Sequence, residues 1–272
     1  MKHVTVIGKN SFMARLIREK NIGKDWLWLS HNEAMDSDEW LDNTRCVINF
    51  SYAPDLRKNK YNAALDIDTK LAKRIQASDI HYIMLSSRMV YGTQDTPLLT
   101  ESLTPNPQNI YGANKHQIEQ NLIEILGQPR VTILRLSNVF GFEPNRASFF
   151  GMALTKLAQE NCITYDMSPF TKRDFLSTWR FGQDLEYIAQ RPTGGIFNLG
   201  SGIGLETGRI AQWLIDGYGK GSLLIKDMSI RDIFWLNMQK TRDCFRLPDY
   251  TLHDLQQDCT LCGTLMKDYH GE

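Results

Sequence analysis

The sequence predicts an α/β fold, a doubly wound parallel sheet with a smaller carboxyl-terminal lobe, and three observations carry that prediction. Short apolar runs of strand length recur through the first half, helical patterns lie between several of them, and the first run ends in a glycine that opens a helix. Strands that alternate with helices favour a parallel sheet covered on both faces, because each crossover needs a helix long enough to return the chain.

Residues 4–8 form the first apolar run, ending in Gly8, and residues 11–19 carry Phe12, Met13, Leu16 and Ile17 at helical spacing. Residues 26–29 and 46–50 read as the next two strands, and residues 80–86 and 131–136 as two more. Helical patterns cover residues 63–77 and 115–126. The alternation weakens after about Phe142. Beyond it, Gly194-Gly195-Ile196-Phe197-Asn198 reads as a turn into a strand, and residues 229–240 as a strand-like or loop stretch. No internal repeat or low-complexity tract is visible.

Composition narrows the function classes. A chain of 272 residues with 42% hydrophobic content can bury a full core, which excludes a disordered or fibrous protein. Lysine plus arginine equals aspartate plus glutamate at 31 each, so nothing points to a nucleic-acid surface. Five cysteines, scattered at positions 46, 162, 244, 259 and 262, do not form a disulfide framework and are expected to be reduced thiols in a cytoplasm. Met1-Lys2-His3 leads straight into the first strand with no signal-peptide pattern, and no apolar run is long enough to span a bilayer, so no membrane partner is expected.

Gly8 closes the first strand and is followed by Lys9, Asn10, Ser11, Phe12, Met13 and Ala14. A dinucleotide site needs small residues here so that backbone N–H groups and the helix N-terminus can approach a pyrophosphate. Gly8 fits; Ser11 and Ala14 stand where the usual fingerprint has glycines, so an ordinary strand-to-helix connection reads equally well from this turn alone. Serine is still small and caps helices well. At the end of the second strand the chain reads Leu29-Ser30-His31-Asn32, without the carboxylate that would hold the ribose hydroxyls of NAD. Ser30, His31 and the nearby Lys9 are placed to receive a 2′-phosphate instead. The expected cofactor is therefore NADP(H), with NAD(H) as the alternative and a solvated loop as the reading of His31 without a ligand.

Tyr111-Gly112-Ala113-Asn114-Lys115 sets a phenol and an ammonium four residues apart at the start of a helix, so both project from one face. An ammonium beside a phenol favours phenolate and lets tyrosine exchange a proton with an alcohol or ketone. A surface helix start would look the same. Upstream, Ser86-Ser87-Arg88-Met89-Val90-Tyr91-Gly92 follows a strand directly, and a hydroxyl at a strand's carboxyl end can bond the oxygen that the tyrosine protonates.

In order along the chain, SSRMVYG, YGANK 24 residues after Ser87, LRLSNVFG, RDF and FNLGSG resemble the extended short-chain dehydrogenase/reductase family, which includes nucleotide-sugar epimerases, dehydratases and reductases. The resemblance runs from the first strand to about Gly202. It implies a Rossmann-like domain, mainly residues 1–142, and a mainly substrate-binding lobe, residues 143–272, with some elements returning to the main domain. It implies that Ser87, Tyr111 and Lys115 are the catalytic residues, with Lys115 also holding the nicotinamide ribose. It further implies that Asn138 and Arg173 meet the substrate or its diphosphate, that the substrate is a nucleotide sugar, and that the protein forms a homodimer through two helices per subunit.

The departures bear on the reaction. A sugar dehydratase of this family carries an Asp-Glu pair directly after the catalytic hydroxyl, where this chain has Arg88 and Met89. Neither residue can perform that proton transfer at neutral pH. Reduction of a 4-keto sugar needs only a hydride and one proton from Tyr111, and is the expected reaction. Epimerisation through a transient ketone with a retained NAD is the second reading, and a non-catalytic dinucleotide-binding sensor or scaffold the third. Asn49-Phe50-Ser51-Tyr52 replaces the small residues often seen beside the cofactor, and Trp179-Arg180-Phe181-Gly182-Gln183 makes the stretch after RDF unusual. Cys259 and Cys262 have metal-like spacing but no second pair, so they read as partly buried helix cysteines, and no metal is expected. Phe149, Phe150, Leu154 and Leu157 fit an apolar helix face.

Overall fold

The computed structural model describes residues 3–271; Met1, Lys2 and Glu272, and with them the reading of the amino-terminal dipeptide, lie outside the described residues. His3–Ile7 (β1) is buried from Val4 onward and delivers Gly8 to a turn, after which Ser11 caps Phe12–Glu19 (α1) by accepting the Ala14 N–H. Leu27–Leu29 (β2) runs into His31–Asp36 (α2), and Thr44–Asn49 (β3) follows. Residues 63–77, expected as one helix, divide into a 3-10 turn at Ala63–Leu65 and a helix at Ile67–Arg74 (α3). Asp66 causes the break: its backbone is extended, and its side chain caps the second segment by accepting from Thr69.

His81–Ser87 (β4), Leu98–Leu99 (β5), Ile110–Leu126 (α4) and Val131–Leu136 (β6) complete the first half, with Asn109 capping α4 through the Gly112 N–H. The rest comprises Asn138–Phe140 (β7), Phe149–Glu160 (α5), Cys162–Tyr165 (β8), Lys172–Arg173 (β9), Phe175–Ser177 (β10), Thr178–Gln190 (α6), Gly195–Leu199 (β11), Leu205–Glu206 (β12), Thr207–Tyr218 (α7), Ser222–Ile225 (β13), Trp235–Leu236 (β14), Gln239–Phe245 (α8) and Leu252–His270 (α9). Residues 229–240, expected as strand or loop, contain a loop, then β14 and the start of α8. Cys259 and Cys262 are both buried on α9.

The main sheet has six parallel strands in the order β11-β6-β4-β3-β1-β2. From β1 the chain steps outward to β2 and then returns across β1 to β3, so the order reverses at the carboxyl end of β1, which is where such sheets open a crevice. Side chains alternate between two cores. Val4, Val6, Ile48, Leu85 and Leu134 face α1 and α6 with Ile17 and Phe181, while Ile7, Val47, Met84 and Ile133 face α3 and α4 with Leu71, Ile118 and Leu122. Small two-stranded pairings build the rest: β7 with β10, β8 with β13, β9 with β12 and β5 with β14.

His81 shows how tightly the sheet holds one titratable group. Its Nε2 lies 2.8 Å from Thr132 Oγ1, whose own proton goes to the Thr193 carbonyl at 2.7 Å, so Nε2 is the protonated nitrogen of a neutral ring. Burial, reinforced by the charge of Arg130, lowers its pKa to about 4. Between pH 6.5 and 4 the unfolded chain therefore binds the extra proton, and stability falls as pH drops through that window. Urea melts from pH 7 to 4.5 should show a loss on the order of 1 kcal/mol that His81→Gln removes; identical pH profiles for both proteins would contradict this assignment.

Candidate active site

A cleft of about 860 Å³ opens beyond the carboxyl ends of β1, β2 and β3, lined by Gly8, Asn10, Ser11, Phe12, Met13, Ser30 and His31 on one side and by Tyr52, Arg57, Lys70 and Arg146 among others. Every predicted cofactor-binding residue except Lys115 thus faces one cavity. Gly8 has φ +95°, and a Cβ there would lie 2.6 Å from Ser51 Oγ and 2.7 Å from Ser51 N. Only glycine allows the backbone to turn that close beside β3. The turn aims the N-terminus of α1 at the cleft, where the first N–H groups have no helical acceptor. The volume, the glycine turn and the helix terminus fit a dinucleotide.

At the tip of β2 the structure corrects the sequence reading. A carboxylate does stand there, supplied by Glu33 through a capping box: Ser30 Oγ accepts the Glu33 N–H at 3.2 Å, and Glu33 Oε2 accepts the Ser30 N–H at 2.6 Å. Its other oxygen accepts from Lys9 Nζ at 2.7 Å, and the bonds from Lys9 first and Ser30 next hold its carboxyl down at about 2. Lys9 is consequently committed to Glu33, whereas Ser30, His31 and Asn32 line the cavity. The Ser-x-x-Glu spacing was legible as a helix start.

The predicted catalytic residues come from two elements pressed together. Lys115 is 4% exposed and donates from Nζ to the Leu85 carbonyl at 2.7 Å, two residues before Ser87. Gly112 completes the contact, since a Cβ there would come within 2.4 Å of the Met89 carbonyl. Tyr111 lies in the first turn of α4, one residue before Gly112 and four before Lys115, and Ser87 is mostly buried at the end of β4, its Oγ accepting the Met89 N–H. Tyr52 fills the space beside them. Its ring meets the Tyr111 ring edge-on at 5.5 Å, the Lys115 ammonium lies 4.2 Å from its centroid, and Arg57 sits over both tyrosine rings. A buried ammonium against one carbonyl and a π-face keeps two further N–H donors for a ligand.

Asn138 and Arg173 also come together. The Asn138 N–H bonds the carbonyl of Asp174, the residue after Arg173, where β7 runs beside β10. Asp174 is fully buried and accepts from the Ser201 N–H and hydroxyl and from the Gly202 and Leu236 N–H groups, fixing the loop after β11. The Arg173 guanidinium points at the backbone of Arg231 and Asp232 and lies 3.7 Å from the Asp232 carboxylate. Arg57, Lys70 and Arg146 carried no sequence signal, because only the crossing of distant loops brings them to the cleft.

Residues 49–166 match the family described as RmlD substrate binding domain. The GDP-6-deoxy-D-talose 4-dehydrogenase of Aggregatibacter actinomycetemcomitans is 34% identical over 71 residues, 26% of this chain and 24% of that protein. Similar solved structures include the UDP-N-acetylglucosamine 4-epimerase of Methanobrevibacter ruminantium M1 in complex with UDP-N-acetylmuramic acid, with a TM-score of 0.80 and 18% identity over 100% of this chain and 99% of that one. RMD from Pseudomonas aeruginosa complexed with NADPH matches at 0.78 and 16%, over 97% and 99%. Among the described residues no helix is long and apolar enough to cross a membrane. The chain therefore shares the fold of these nucleotide-sugar enzymes, and residues 49–166 match the RmlD substrate binding domain.

Proposed function

We propose that this protein is an NAD(P)-dependent oxidoreductase that reduces a 4-keto nucleotide sugar, with Tyr111 as proton donor. The observation that carries the reading is the buried Lys115 ammonium bonded to the Leu85 carbonyl, which sets the Tyr111 turn of α4 against the strand end bearing Ser87, beside the dinucleotide cleft. A bound dihydronicotinamide supplies the hydride. Ser87 Oγ–H holds the substrate oxygen, Tyr111 gives it a proton, and Lys115 stabilises the resulting tyrosinate.

Dehydration is disfavoured by the residue that follows Ser87. The Arg88 guanidinium is engaged by the Asp232 carboxylate, and Met89 has no titratable group. The matched dehydrogenase and the NADPH complex of RMD point the same way. A nucleotide-sugar substrate and a homodimer in the cytoplasm complete the reading.

NADP(H) is the proposed cofactor because Glu33 is already paired on both oxygens while Ser30, His31 and Asn32 face the cavity. Fluorescence titration should show NADPH binding about tenfold tighter than NADH, as expected for charge-assisted bonds to a phosphate. Equal or tighter binding of NADH would overturn the preference.

For the chemistry, NADPH oxidation should be followed with separate 4-keto nucleotide sugars. Tyr111→Phe keeps the ring and its packing against Tyr52 but deletes the proton, and turnover should fall by on the order of a hundredfold with the Kd for NADPH little changed. Near-normal turnover in that variant would refute the role of Tyr111. Interconversion of 4-epimers with bound NAD and no net oxidation would establish the epimerase reading instead.

A further inference from the structure

Arg88 stands one residue after Ser87, and its surroundings are more elaborate than a surface ion pair requires. Its side chain is 12% exposed, its guanidinium lies 3.9 Å from the centroid of the Phe234 ring, and both terminal nitrogens engage the two oxygens of Asp232 in a planar fork. Arg173, 15% exposed, approaches the same carboxylate from β9 at 3.7 Å. Two sheltered guanidiniums therefore share one acid, and that acid is the accessible partner, with 45% of its side chain exposed.

Asp232 belongs to a loop, residues 226–234, that is held at its ends by the Lys226 N–H to the Tyr165 carbonyl and the Phe234 N–H to the Lys172 carbonyl. The backbone of Asp232 has φ +54°, a conformation that costs a non-glycine residue free energy and persists where other contacts hold it. Burial first, and the charge of Arg88 as well, lower the pKa of Arg173 despite the attraction of Asp232, so a further anion would be welcome there.

We propose that Arg88, floored by Phe234 and assisted by Arg173, is a specificity-determining receptor for a carboxylate on the reacting sugar, and that Asp232 occupies it until such a substrate arrives. The inference rests on the proposed action on nucleotide sugars. The bound Asp232 shows the receptor holding a carboxylate in bidentate geometry, and because the same fork also fits a phosphate, the bare nucleotides in the test separate the two. Arg88 directly follows Ser87, the residue proposed to hold the oxygen under reduction, and that adjacency is the ground for assigning its guanidinium to the sugar end of the substrate.

The test titrates the full-length protein, saturated with NADP+ so that no reduction occurs, with matched neutral and acidic nucleotide sugars by calorimetry. UDP-glucose against UDP-glucuronate and GDP-mannose against GDP-mannuronate are the pairs, with UDP and GDP alone as controls. The acidic sugar should bind at least about tenfold more tightly than its neutral partner, the scale of a charge-assisted bidentate bond. Arg88→Met should bring that ratio to within about twofold of unity, and Asp232→Ala, a change at a more exposed side chain, should raise affinity for the acidic sugar. Thermal melts establish that each variant is folded. Equal affinity for both sugars in the native protein would overturn the receptor while leaving the proposed function standing. So would an Arg88→Met variant that weakens both sugars and the bare nucleotide by one common factor, since that places the arginine on the diphosphate. Failure of every nucleotide sugar to bind would overturn the functional reading and the receptor with it.

Discussion

The buried ammonium of Lys115 is the constraint on which the arrangement of the candidate site depends. A charge 4% exposed must be solvated by the protein, and here the Leu85 carbonyl and the Tyr52 ring take that role. The bond ties α4 to the last residues of β4, and Gly112 on the Met89 carbonyl brings the helix into backbone contact with the segment after the strand. Tyr111 and Ser87 inherit their places from that contact. Beneath it, Asp68 is also buried and accepts from Asn49 Nδ2 and the Tyr82 hydroxyl, each at 2.8 Å; burial raises its pKa and the charge of Lys115 opposes that rise. The charge of Lys115 on α4 thus acts on a buried carboxylate as well as meeting apolar packing.

The parallel sheet supplies the second half of the geometry. Because all six strands point one way, the turns after β1, β2, β3 and β4 emerge at one edge, and the reversal of strand order beside β1 opens that edge into the cleft. Asp174 then stitches β9, the loop after β11 and β14 together, which places Arg173 and Phe234 opposite the residue that follows Ser87.

Much of this was legible in the sequence, and what was not has identifiable causes. The five strand runs read from the first half all became strands of the main sheet, since buried parallel strands show as plain apolar runs. The helix-opening tyrosine and lysine were visible because four residues make one helical face. Glu33 escaped because its return to Ser30 is a side-chain event that follows the strand end, although the Ser-x-x-Glu spacing announced it. The single helix expected over residues 63–77 failed at Asp66, whose capping bond outcompeted helix propensity. Arg57, Arg146 and the pairing of Arg88 with Asp232 depend on loops far apart in sequence, and no local pattern encodes such a meeting.

The central claim is that hydride reaches the C4 carbon of a nucleotide-linked sugar while Tyr111 protonates its oxygen. The most direct measurement incubates the protein with NADPH deuterated at the transferable C4 position of the dihydronicotinamide and a panel of 4-keto nucleotide sugars, and reads each product by mass spectrometry and NMR. The account predicts one deuterium at C4 of a single product epimer, matched mole for mole by oxidised cofactor. Absence of deuterium from every sugar in the panel, with the cofactor shown to be bound, would contradict it.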